Sequence, residues 1–133
     1  MVRKTFHNRP FSIDGLLVKN QKLLLIKRGK YPYQNYWALP GGHVGFNETC
    51  EEALKRELKE ETNLSLTSHK LLGLYSKPQR SPTQAISAVY VIDALGKPKA
   101  GDDAVDLKFF SFNKLPQNLA FDHSEIIKDY LKF

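Results

Sequence analysis

The sequence predicts an α/β fold: a mixed sheet covered by helices on both sides. Three observations carry this. Short apolar runs rich in β-branched and aromatic residues recur along the chain, one long helix interrupts them near the middle, and a second helix closes the sequence. No internal repeat or low-complexity segment breaks the order, and 133 residues read as one domain, 1–133, large enough to bury a core without disulfides.

Taken in order, residues 13–18 and 23–27 read as two strands joined by the polar turn Lys19-Asn20-Gln21-Lys22. A loop rich in Tyr and Gly follows, and Trp37-Ala38-Leu39 leads into Pro40-Gly41-Gly42, where missing Cβ atoms let the backbone approach a ligand closely. Thr49 with Glu52 three residues later is a capping box, so a helix should run from Cys50 to about Thr62. Residues 64–75 and 85–92 are strand-like, 95–103 is a turn region, and 107–112 is a further strand. Asp122 is placed to cap the last helix, with Glu125 at its third position and Ile126, Ile127, Tyr130 and Leu131 as the inner stripe.

The central helix puts carboxylates where apolar residues belong. Wound at about 100° per residue, Cys50, Ala53, Leu54 and Leu58 share one side, Glu57 and Glu61 fall in the middle of that side, and Glu60 flanks it. Glu52, Lys55 and Lys59 face away. Buried carboxylates need compensating charge, and a cluster of three calls for a divalent cation with oxygen ligands, Mg²⁺ or Mn²⁺, which goes with phosphate chemistry. An ordinary surface helix with i,i+4 pairs would explain neither the inward carboxylates nor their concentration late in the helix, against the macrodipole.

The spacing is sharper still. Gly42, five residues, Glu48, seven residues, then Arg56-Glu57-Leu58-x-Glu60-Glu61-x-Asn63-Leu64 resembles the Nudix box, G-x5-E-x7-R-E-U-x-E-E-x-G-U, where U is aliphatic. The single departure is Asn63 in the place of the last glycine, a position where a left-handed cap accepts Asn next-best. The resemblance implies a Nudix-type α/β/α sandwich with the box as a loop–helix–loop, and a metal-dependent hydrolase of a diphosphate linked to another moiety. By position it implies Glu57, Glu60 and Glu61 as metal ligands with the Gly41 carbonyl, and Arg56 holding a box carboxylate such as Glu48. The general base is left open among Glu60, Glu61 and a carboxylate of a later loop.

Outside the box, Tyr75-Ser76-Lys77-Pro78-Gln79-Arg80-Ser81-Pro82 resembles the Y-S-x-P-x-R-x-P segment of the ADP-ribose pyrophosphatase branch, and Pro78 falls fifteen residues beyond Asn63, as in that branch. Lys27-Arg28-Gly29, Ala100-Gly101-Asp102-Asp103-Ala104 and Leu119-Ala120-Phe121-Asp122-His123 look like the same branch. The implied reaction is cleavage of ADP-ribose to AMP and ribose 5-phosphate. Arg28 and Arg80 are the expected contacts to phosphate or ribose oxygens, and Tyr31, Tyr33 or Tyr36 the expected stacking partner of adenine. His123 is expected only to hydrogen-bond near the last helix, and Asp102 and Asp103 to sit in a solvated turn.

Charge bounds the partners. The net charge of +6 is concentrated ahead of Tyr31, where Arg3, Lys4, Arg9, Lys19, Lys22, Lys27, Arg28 and Lys30 face only Asp14, and it favours a small anionic nucleotide. No DNA- or RNA-binding motif accompanies it, so nucleic acid is not the expected partner. The single cysteine, Cys50, excludes an internal disulfide, and neither a signal segment in the first ten residues nor a membrane-length apolar run is present, so a cytoplasmic protein is expected. Relatives of this kind often form homodimers. Three rival functions remain: a MutT-type nucleoside triphosphate pyrophosphohydrolase, a non-catalytic ADP-ribose-sensing module, and an RNA 5′-end hydrolase. The full set of box carboxylates argues against the sensing module.

Overall fold

The structure is a computed structural model that describes residues 8–132; Arg3 and Lys4 of the basic front, residues 1–7 of the stretch read for a signal segment, and Phe133 lie outside the described residues. The strands are β1 (Phe11–Lys19), β2 (Lys22–Arg28), β3 (Trp37–Ala38), β4 (Gly41–His43), β5 (Ser65–Tyr75), β6 (Ile86–Leu95) and β7 (Ala104–Ser111), with helices α1 (Cys50–Thr62) and α2 (His123–Leu131). β1 runs parallel to β6 and antiparallel to β4, β6 pairs antiparallel with β5, and β2 pairs antiparallel with β3 and β7. β1 and β2 meet only around their shared turn, at Val18–Leu23 and Lys19–Lys22. Asn20 and Gln21 both adopt positive φ there, the twist that a two-residue hairpin needs.

Alternation along the strands builds the two cores. Ile13, Leu17, Leu24, Ala88, Tyr90 and Ile92 pack with Ala53, Leu54 and Leu58 of α1. Leu16, Leu23, Leu25 and Val89 point the other way and pack with Ile126 and Ile127 of α2. The result is an α/β/α sandwich around a mixed sheet, as the pattern predicts. Among the described residues, no helix is long and apolar enough to cross a membrane.

The capping box forms: Thr49 Oγ1 accepts from the Glu52 N–H at 3.0 Å and the Glu52 carboxylate accepts from the Thr49 N–H at 2.8 Å. Asn63 takes the left-handed cap at φ 64°, and its N–H closes on the Lys59 carbonyl. Two expectations fail at the last helix. Asp122 makes no side-chain cap, because its carboxylate is taken by Arg80, and Leu131 is 54% exposed, so the inner stripe is Ile126 and Ile127 with Tyr130 partly covered. Strand β7 also begins at Ala104, inside the stretch ahead of 107 that shows no alternation, because the ladder with β2 continues through an irregularity at Lys27 and Arg28.

Candidate active site

The short strand β4 is the platform of the site. Gly15 donates its N–H to the Pro40 carbonyl, and Val44 donates to the Phe11 carbonyl. Those are the hydrogen-bonded rungs of the antiparallel ladder, so the intervening Asp14–Gly41 rung is a non-bonded one, and the Gly41 N–H and C=O point away from β1. The N–H is taken up by Glu61 Oε1 at 2.8 Å, which leaves the carbonyl without a partner on β1. Alternation then sends the two Cα–H faces of Gly41 and Gly42 to opposite sides of the strand. A Cβ on Gly42 would overlap the Glu57 carboxylate, and a Cβ on Gly41 would overlap the Asp14 carboxylate and the Ile13 carbonyl. The two glycines therefore admit one carboxylate on each side.

From α1, Glu61 is buried and Glu57 half-buried, while Glu60 is exposed. Burial pushes the Glu61 carboxyl well above its usual range despite the Gly41 N–H bond, and burial raises Glu57 against the pull of Arg56. Arg56 ties the remaining acids together. Its Nη2 and Nε donate to Glu48 at 2.6 and 3.1 Å, its Nη1 to Glu57 at 2.8 Å and Glu60 at 2.9 Å, and its Nη2 also reaches the His43 carbonyl at 3.2 Å. Hydrogen bonds from Arg56 and from the Gly45 N–H push the Glu48 carboxyl down to about 2, so it is a fixed anion that anchors the loop ahead of the helix. Among the described residues, no three His, Cys, Asp or Glu side chains already converge in a metal cage. The donor chemistry nevertheless suits a hard cation: Glu57 and Glu61 oxygens flank the strand whose Gly41 carbonyl is free, and the glycine cradle keeps carbon away from them.

These groups line one wall of a cavity of about 430 Å³. Arg28, Lys30 and Tyr31 form a second wall; Arg28 lies 5.0 Å over the Phe121 ring, is held by the Pro32 carbonyl, and has its basicity lowered by burial. Tyr31 is 75% exposed, whereas Tyr33 packs against Tyr36 and Phe121, so of the three tyrosines only Tyr31 lines the cavity with an open face. Arg80 also lines the cavity, but it does not reach out from a loop as its sequence context suggested. It is buried, pairs in bidentate fashion with Asp122 at 2.9 and 2.8 Å, and donates to the Ala85 carbonyl at 2.9 Å. Asp103 pairs with Lys30 at 2.6 Å at the rim, and Asp102 takes a left-handed conformation in the turn docked on the end of α1.

One cluster escaped the sequence reading. Asp14 on β1 is buried beside the cavity, accepts from Ser87 Oγ at 2.5 Å through Oδ2, and is pushed up to about 7 by burial. His123 lies behind it. Its Nδ1 accepts from the Leu39 N–H at 3.0 Å and burial lowers its pKa to about 3, so the ring is neutral with its proton on Nε2, 3.8 Å from Asp14 Oδ2. The signal available in the sequence was an acid among the apolar residues of a central strand, in Phe-Ser-Ile-Asp-Gly-Leu-Leu.

The chain belongs to the NUDIX domain family, whose description matches residues 9–130. An ADP-ribose pyrophosphatase of Methanocaldococcus jannaschii is 50% identical over 124 residues, 92% of this chain and 73% of that protein. Among solved structures, a MutT/nudix family protein of Enterococcus faecalis aligns with a TM-score of 0.86 at 29% identity, over 99% of this chain and 64% of that one. A bifunctional NMN adenylyltransferase/ADP ribose pyrophosphatase of Francisella tularensis, crystallised with AMP and a Mn ion, aligns with a TM-score of 0.80 at 31% identity, over 97% of this chain and 43% of that one. The chain thus spans about two thirds of the first structure and under half of the second.

Two stability predictions follow from the buried charges. Arg80→Ala leaves Asp122 uncompensated and should cost about 3–5 kcal/mol in chemical denaturation; an unchanged midpoint would mean that the pair carries no stability. Ionising Asp14 is costly in the fold because its pKa lies above the value of 3.8 it has when exposed. In EDTA, Asp14→Asn should therefore be more stable than the parent at about pH 8, and the advantage should fade towards about pH 4 as the parent's folded carboxyl takes up its proton. Above its ordinary value of 6.5 His123 is neutral in both proteins, folded and unfolded, so the upper end of the window reports Asp14 alone.

Proposed function

We propose that this Nudix domain is a divalent-metal-dependent pyrophosphohydrolase of nucleoside diphosphate derivatives, with ADP-ribose as its substrate and AMP and ribose 5-phosphate as products. The observation that carries the reading is the placement of Glu57 and Glu61 against the glycine strand at the wall of a cavity whose other wall is basic and aromatic. The identity to the Methanocaldococcus jannaschii ADP-ribose pyrophosphatase supports the choice of substrate.

Glu57, Glu60, Glu61 and the Gly41 carbonyl would hold the cation; Mg²⁺ or Mn²⁺ fits these oxygen donors. Bound there, the cation supplies charge neutralisation at the phosphates and a more acidic water. The chain's own residues do the rest. Arg56 spreads one positive charge over Glu48, Glu57 and Glu60 and so fixes the helix carboxylates in register with the strand. Arg28, pinned between the Pro32 carbonyl and the Phe121 ring, presents its remaining N–H groups to phosphate oxygens. Tyr31 offers the face for the adenine ring. Hydrolysis adds the oxygen of water to one phosphorus and breaks that phosphorus's bond to the bridging oxygen, which leaves on the other phosphate. A carboxylate, Glu60, Glu61 or one of a later loop, takes the proton of the attacking water.

A nucleotide panel tests this: ADP-ribose, NADH, diadenosine polyphosphates, ordinary and oxidised dNTPs and capped RNA, each with Mg²⁺, with Mn²⁺ and with EDTA. Cleavage should be strongest on ADP-ribose and vanish in EDTA. Preferred cleavage of a triphosphate would overturn the substrate and keep the chemistry; no cleavage of any compound would favour a binding module.

A further inference from the structure

The floor of the cavity on the α2 side differs in character from its mouth. The buried polar lining there consists of Ser12, Asp14, Arg80, Ser81 and His123, and none has an aromatic face to offer a base other than the imidazole, which is 1% exposed. The nearby Phe121 ring is already covered by the Arg28 and Arg80 guanidinium groups at 5.0 and 5.9 Å. The exposed ring faces that line the cavity are therefore those of Tyr31 and His43, away from this buried polar lining.

Within this floor the two oxygens of Asp14 have different fates. Oδ2 receives the Ser87 hydroxyl at 2.5 Å and is backed by the His123 Nε2–H at 3.8 Å, a buried donor with no other partner. Oδ1 accepts no hydrogen bond among the described residues, yet it is not among their buried unpartnered atoms, so it opens on the cavity. A buried side chain held through one oxygen with the other left free is an acceptor awaiting a donor. The Cβ-less Gly41 lets that oxygen sit close against the glycine strand, where a side chain would displace it.

We propose that Asp14 is a specificity residue that accepts a hydrogen bond from a hydroxyl of the sugar attached to the distal phosphate, with Ser87 and His123 as its positioning residues. Hydroxyls suit this floor because they donate to the carboxyl while accepting from a neighbouring serine hydroxyl. A terminal phosphate suits the Asp14 carboxylate badly, since its oxygens are acceptors and would face another acceptor, and Arg80 in the same lining is already committed to Asp122. The subsite would therefore select a sugar-bearing diphosphate over a nucleoside triphosphate. This inference rests on the diphosphate-hydrolase reading above.

At about pH 8.5, where a carboxylate is ionised, the test compares kcat/KM for ADP-ribose, for an ADP-ribose analogue with a hydroxyl-free carbocycle of the same size as its terminal sugar, and for ATP. The parent protein should favour ADP-ribose over the carbocyclic analogue by about 10- to 100-fold, the scale of a hydrogen bond to a charged group. Asp14→Asn should shrink that ratio, and the ratio of ADP-ribose to ATP, by about tenfold or more. Thermal unfolding of the variant confirms its fold, and the analogue comparison on the parent needs no variant. Equal turnover of ADP-ribose and the carbocycle by the parent, or ratios unchanged in a folded Asp14→Asn, would overturn the subsite alone. Failure of the parent to cleave ADP-ribose while it cleaves another nucleotide would overturn the substrate reading, and the subsite with it.

Discussion

Two glycines in one short strand set the arrangement of the acids. Gly41 and Gly42 project no side chain, and each gap is filled from a different layer: Asp14 of β1 on the α2 side, Glu57 of α1 on the other. Glu61 adds the third contact by accepting the Gly41 N–H. A Cβ at either position would push an acid out of place, so the strand acts as a gauge that fixes the depth at which each carboxylate sits. The non-bonded rung between Asp14 and Gly41 also decides which backbone groups face the cavity, because only such a rung turns its N–H and C=O outward.

That arrangement concentrates negative charge in partly buried surroundings, and the fold balances it with arginines of distinct duties. Arg56 serves three box carboxylates from the helix surface. Arg80 is spent on Asp122 and thereby joins the segment after β5 to the start of α2. Arg28 is held from behind by a carbonyl and an aromatic ring, which leaves its outer face for a ligand. The raised pKa values of Asp14, Glu57 and Glu61 all have burial as their first cause, so the protein holds destabilising groups at the proposed active site.

Much of this was legible in the sequence because it is local. The capping box, the αL cap at Asn63 and the inward Glu57 and Glu61 are properties of a single helix, readable from spacing alone. The layers were legible because alternation along β1, β2 and β6 assigns each residue to a face. What escaped depends on contacts between distant segments. Arg80 looked free because its partner Asp122 is forty-two residues away, and Asp122 looked like a cap because a helix start and a partner for arginine require the same side chain. Asp14 escaped because its surroundings, Ser87, Gly41 and His123, come from three other elements. Membership in the family follows from the box and the fold together, whereas the character of the cavity floor lies entirely in the long-range contacts.

The central claim is that the α1 carboxylates and the glycine strand form a cation site. Titration of Mn²⁺ into the protein without nucleotide, followed by the loss of the free-ion electron paramagnetic resonance signal, tests it most directly. Saturable binding that is lost in Glu57→Gln, with that variant's thermal unfolding unimpaired, is the predicted result. Binding of equal strength in Glu57→Gln, or none in the parent protein, would contradict it.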